Sequence, residues 1–178
     1  MNTNTAEMTD EQKKLQDRMK EYATPNTNHE VLKAFVGKWK ANVKLLMDPK
    51  GPQEFEGTSQ SQMIMDGRFL EQTFHATMMG QPYEGRGIWG YNNIRKEYTG
   101  LWFDNKSTGT MISSGKYDPA SKILTEEGTM SCPGSEETKG LYKAVTTIKD
   151  GNQYTYESYR KDKDGKESKT MSITYTRA

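Results

Sequence analysis

The sequence predicts an all-β fold, an antiparallel up-and-down barrel of about ten strands entered through one or two short helices. Three observations carry that prediction. Aromatic-rich segments of period two run from Trp39 to Tyr175, the alternation of a strand with one buried face. Gly, Pro, Asn and Asp cut these segments at short intervals, which is turn chemistry. No helical pattern interrupts the series, so successive strands are antiparallel neighbours. An open sheet of that length would twist and leave two bare edges, and closure removes them.

The helices come first. Thr9 is placed to N-cap a helix with Gln12 as its box partner, running to about Tyr22 before Thr24-Pro25 stops it. Its apolar positions, Met8, Leu15, Met19 and Tyr22, are sparse, so residues 1–26 are expected to form a helical arm and 27–178 the barrel domain. Thr27 and Glu30 repeat the box for a shorter helix with Val31, Leu32, Phe35 and Val36 as its apolar stripe, and Gly37 as its C′ residue. From Lys38 the period is two: Trp39, Ala41, Val43, Leu45 and Met47 alternate with Lys40, Asn42 and Lys44. Strands are then expected at 53–65, 68–79, 83–92, 96–104, 107–117, 121–131, 139–149, 152–161 and 167–177. Asp66-Gly67 and Asp150-Gly151 read as two-residue hairpin turns with positive φ at both central positions. Pro133-Gly134 reads as a further turn.

Composition bounds the partners. The chain has 178 residues, 25 basic and 24 acidic, for a formal net charge of +1. That balance supplies no field to attract nucleic acid or an anionic membrane. A mean hydropathy of -0.98 and the lack of a long apolar stretch argue against a membrane-spanning helix. The polar opening, Met1 to Gln12, lacks the apolar core of a secretory signal, and Cys132 has no second cysteine to pair with. Both suit a cytoplasmic protein. Eleven methionines supply soft apolar surface for an irregular core or a permissive pocket.

Gly37-Lys38-Trp39 opens the first strand and Arg177 ends the last. This pairing resembles the closure of calycin barrels (lipocalins, fatty-acid-binding proteins and relatives), where a basic side chain lies across the indole of a Gly-x-Trp. Gly67-Arg68-Phe69-Leu70-Glu71, Gly80-Gln81-Pro82-Tyr83-Glu84-Gly85, Gly90-Tyr91-Asn92, Tyr98-x-x-x-Trp102-x-Asp104 and Met171-x-Ile173-x-Tyr175-x-Arg177 resemble the bacterial family called domain of unknown function 1579. The resemblance spans about Phe35 to Arg177 and implies a calycin-like barrel with a cavity rather than a reaction. Two positions depart from the family pattern: Asn92 replaces an aspartate, and Lys143 stands where an arginine is expected.

The candidate ligand-binding residues are Glu71, His75, Trp89, Tyr91, Tyr98, Trp102, Asp104 and Lys143, with Met78 adding apolar lining. Trp89 and Tyr91 share a face, as do Tyr98, Trp102 and Asp104, with Gly85, Gly87 and Gly100 between them. Glycines beside aromatics make room for rings or for a ligand stacked on them; equally, the rings can simply fill the barrel. Asp104 is expected to bond Lys143, Arg86 or a turn amide, because a carboxylate buried alone is costly. His75 shares a face with Glu71, yet about 13 Å of strand separates them, and the alternate set Leu70, Gln72, Phe74, Ala76 and Met78 is the apolar one. His75 is also the sole barrel histidine, and so the candidate axial ligand for a heme held through one histidine. One cysteine and two histidines exclude Cys-x-x-Cys metal sites and leave little for a Ser-His-Asp site. Gly85-x-Gly87-x-x-Gly90 fits a dinucleotide motif in letters, but it lies within a strand and no helix follows.

The expected function is non-catalytic binding of a small, partly apolar ligand of unknown identity inside the barrel, with no cofactor specified. The alternatives are an enzyme using Glu71, His75 or Asp104 in acid–base chemistry, and a structural module with a filled barrel that pairs as a homodimer through the barrel wall, with the N-terminal helix as an arm on the second copy.

Overall fold

The structure is a computed structural model and describes residues 8–48, 50–131, 139–162 and 164–178. Cys132 and the Pro133-Gly134 turn lie outside the described residues. Helix α1 spans Asp10–Ala23, and its capping box is formed by Thr9 and Gln12. Helix α2 spans Thr27–Leu32 and runs into a 3-10 turn over Lys33–Phe35. Its box is not Thr27 with Glu30, as the spacing predicts. Asn26 is the cap: its side chain accepts from the Asn28 amide, and the His29 ring accepts from the Asn26 amide. The Asn26 side-chain amide also donates to Asn93 at 2.8 Å, a tertiary bond that Thr27 has no amide to make.

Ten strands follow: β1 Gly37–Leu45, β2 Gln53–Ile64, β3 Phe69–Met78, β4 Gln81–Asn92, β5 Glu97–Asp104, β6 Met111–Asp118, β7 Ile123–Ser131, β8 Lys139–Ile148, β9 Gln153–Lys161 and β10 Glu167–Arg177. Each pairs antiparallel with its neighbours, and β1 pairs β10 to close the barrel. The β6 start moves from 107 to 111 because 105–110 is a loop. The Asp104 carboxylate accepts from the Lys106 amide and the Ser107 hydroxyl donates to the Gly109 carbonyl, local bonds that compete with a ladder.

Two turns differ from the two-residue hairpins expected. Between β2 and β3 the positive φ values spread over Met65, Asp66 and Gly67. Between β8 and β9 neither Asp150 nor Gly151 takes positive φ. There the Asp150 side chain instead accepts from the Asn152 amide at 2.7 Å.

Along each strand one parity faces in. Trp39, Ala41 and Val43 of β1, Leu70, Gln72 and Phe74 of β3, Leu124 and Glu126 of β7, and Ile173 and Tyr175 of β10 are buried. The core is densest at the end covered by α2. Trp39 donates its indole N–H to the Phe35 carbonyl at 2.8 Å, and Tyr154 packs edge-on to both rings and stacks on Tyr175 at 4.3 Å.

One cation reinforces the closure that the β1–β10 ladder makes. Trp39 and Arg177 are direct partners across the β1–β10 ladder, and the guanidinium carbon lies 4.1 Å from the indole centroid. Arg177 also donates to the Gly151 and Val36 carbonyls, at 2.8 and 3.1 Å. Gly37 takes φ +126 there, and a Cβ on it would collide with that guanidinium, so a side chain is excluded twice over.

Candidate functional site

The barrel interior is not filled. Between the aromatic floor and the far end lies a cavity of about 200 Å³, where a single water needs about 10–15 Å³. Leu32 and Phe35, carried by α2 and the turn after it, close the floor. Trp89, Trp102, Phe74 and Tyr156 form walls, and Met78, Met111 and Met171 line the far end. The parity rule places each of these inward, and close approach of backbone lets the indoles lie flat along the wall. A Cβ on Gly87 would overlap the Trp89 ring. One on Gly100 would stand 2.6 Å from the Trp89 nitrogen and 2.7 Å from the Ser113 hydroxyl. The two indoles sit 6.2 Å apart, tilted by 47°.

The polar groups of this lining are few. Gln72 donates to Ser59 at 2.8 Å and reaches the Tyr154 hydroxyl at 3.4 Å. Glu126 is 3% exposed. It accepts from the Ser113 hydroxyl at 2.8 Å, and the Trp89 indole lies beside it. Burial pushes the Glu126 carboxyl above its ordinary range, against the opposing pull of Ser113 and Trp89. Burial likewise raises the Tyr142, Tyr156 and Tyr175 hydroxyls, so these phenols stay neutral. No lysine, arginine or histidine lines the cavity among the described residues.

The sequence-predicted residues divide into four groups. Trp89, Trp102 and Met78 line the cavity. Tyr91 and Tyr98 do not; they pack below the floor, against α2. Tyr98 donates to the Asn28 carbonyl at 2.9 Å, and desolvation pushes its hydroxyl up to about 12. Tyr91 packs edge-on between Tyr98 and His29, at 4.9 and 5.8 Å. Sharing a strand face with a tryptophan does not put a ring at the same depth, and two positions down the strand the helix replaces the cavity.

Asp104 faces inward at the far rim, where it accepts from Tyr83 at 3.1 Å and from the Lys106 amide at 2.9 Å. It thus takes the turn amide among its expected partners, rather than Lys143 or Arg86.

Glu71, His75 and Lys143, expected among the ligand-binding residues, lie on the outer wall and not in the cavity lining. Glu71 accepts from Gln62, His75 is exposed, and Lys143 pairs with Glu167 at 3.0 Å and stands over the Tyr159 ring. Their neighbours Leu70, Gln72, Phe74, Tyr142 and Ala144 occupy the inner face, so strand parity forces them out. An acid–base site built on Glu71, His75 and Asp104 has no common pocket. The heme reading loses its axial histidine, since His75 points out and His29 is engaged in the α2 cap.

Sequence reasoning missed Glu126. The available signal was the pair Glu126-Glu127 within one strand: adjacent residues face opposite ways, so one glutamate had to point in. Leu124, at the same parity, decides which.

Residues 24–177 match the family described as "Protein of unknown function (DUF1579)". The chain belongs to that family. No curated protein matches it. Two solved structures are similar to this DUF1579 barrel. Rv2717c from M. tuberculosis shares 16% identity at a TM-score of 0.61, over 87% of this chain and 99% of that one. The S-type phycobiliprotein lyase CPES from Guillardia theta shares 8% identity at 0.56, over 89% and 96%. At such identities the likeness is one of fold. Of the two departures from the family pattern, Asn92 keeps the role of a turn acceptor, taking the Ile94 and Arg95 amides at 3.0 and 2.9 Å. Lys143 makes its ion pair outside the barrel.

Proposed function

We propose that this DUF1579 protein binds a small, mostly apolar molecule inside its barrel without transforming it. The observation that carries the reading is the cavity of about 200 Å³ walled by Trp89, Trp102, Phe74 and Tyr156 with only a few polar groups. Apolar walls with a small number of placed polar groups are the usual make-up of a small-molecule site. A folded protein that needed only a stable core would gain by filling such a space, because a cavity forfeits packing contacts. The similarity to a barrel named as a phycobiliprotein lyase agrees with a fold able to receive an organic molecule, and no more than that is taken from it.

Tryptophan fluorescence tests the proposal. Trp89 and Trp102 line the space, whereas Trp39 is sealed under Arg177. Titration with a panel of apolar and aromatic molecules is expected to shift the emission saturably for at least one class. Ala144→Phe, which adds a ring at a small residue of the lining, fills the space and is expected to abolish that response. A flat titration across the panel, or a response unchanged in the variant, overturns the reading.

A further inference from the structure

We infer that the molecule held in the barrel carries a cationic nitrogen head on an apolar, ring-sized body, and that Glu126 is the group on which the head docks. The inference rests on the ligand-binding reading above and adds the chemistry of the ligand. Three observations support it.

First, among the described residues Glu126 is the only carboxylate that lines the cavity, and no cation lines it. A ligand carboxylate or phosphate would therefore enter an apolar space, meet a buried acid and find no counter-charge. Second, Glu126 is under-satisfied for a carboxylate. An ionised carboxylate offers about four lone-pair sites, and the groups that favour its charged form are one hydroxyl, Ser113 at 2.8 Å, and the Trp89 indole. Buried charges are normally paired, and here the missing partner is a positive one. Third, the surroundings fit a cation. Trp89 is both a wall of the cavity and a neighbour of Glu126, and Tyr142 and Tyr156 lie close enough for their ionisation to be opposed by the carboxylate. The aromatic rings that wall the cavity add a quadrupole attraction for an ammonium to that of the charge.

The two-glutamate step shows the same division of labour. Glu127, one position on, points out and pairs with Lys161 at 2.6 Å. Among the described residues its inward neighbour has no such partner.

The test compares phenylbutylamine, phenylbutanol and phenylbutyrate, near-matched bodies with a cationic, a neutral and an anionic head, by titration calorimetry. The expected order is amine first, by about tenfold or more over the alcohol, with the carboxylate weakest. In Glu126→Gln the amine is expected to lose that advantage while the alcohol binds as before, which also shows that the variant is folded. Ser113→Ala keeps the charge, and the amine is expected to remain preferred. If the alcohol or the carboxylate binds the native protein as well as the amine does, the inference falls and the ligand-binding reading stands. If Glu126→Gln retains the amine preference, the docking role of Glu126 falls. If none of the three binds, the inference falls, and the fluorescence panel alone decides the ligand-binding reading.

Discussion

The Arg177 guanidinium lies over the Trp39 indole at 4.1 Å, and these two residues are also direct partners in the ladder between the first and last strands. One side chain thus holds the seam of the barrel, the Gly151 carbonyl of the β8–β9 turn and the Val36 carbonyl ahead of β1. Arg177→Ala is expected to lower stability by about 1.5–4 kcal/mol, the sum of an exposed cation–π contact and two hydrogen bonds. Urea unfolding followed by far-ultraviolet circular dichroism checks this. Arg177→Lys retains the charge but not the fork geometry, and should fall between the two.

Asn93 ties the helices to the barrel. It is 2% exposed; its amide donates to the Glu21 and Thr24 carbonyls at 2.7 and 2.8 Å, and its oxygen accepts from Asn26. Helix α1 has no buried residue of its own, so these bonds, with the exposed Lys96–Glu21 pair at 2.8 Å, do most to hold it. Asn93→Ala is expected to speed amide hydrogen exchange across residues 10–23 while leaving β6 to β9 protected. Equal loss of protection throughout the barrel would contradict this division.

Stability should depend on pH through Glu126. Its folded value is raised above the ordinary 4.5, so between the two values the folded state holds a proton that the unfolded state has released. Stability contributed by Glu126 therefore falls as pH rises through that window and levels off above it. Glu126→Gln removes the dependence, and the variant should gain on the native protein as pH climbs above the ordinary 4.5 in urea titrations. Surface acids such as Glu21, Glu127 and Glu157 are shifted the other way. They are common to both proteins and cancel in the difference.

Much of this architecture is legible in the residues. Period two along Trp39, Ala41 and Val43 names an inner face without reference to any other strand, and turn-forming residues mark the ends. The seam is legible as well, because Gly37-Lys38-Trp39 and Arg177 stand at the two chain positions that closure must bring together. The site is less so. Glu71 and His75 attract notice as chemistry-bearing side chains, yet the alternation of Leu70, Gln72 and Phe74 already directs them outward. Tyr91 and Tyr98 share inward parity with Trp89 and Trp102, and parity is silent about depth.

Strand number, order, closure and the inward set of side chains follow from the sequence by itself, because each depends on local alternation and on turn residues a few positions apart. Whether the inward set fills the barrel does not. That depends on how rings from strands distant in sequence share one volume: Tyr154 stacks on Tyr175 beneath Phe35, while Trp89 and Trp102 lie along the wall over glycines. Only tertiary packing decides that the floor is solid, that space remains above it, and that Glu126 faces that space with no cation beside it among the described residues.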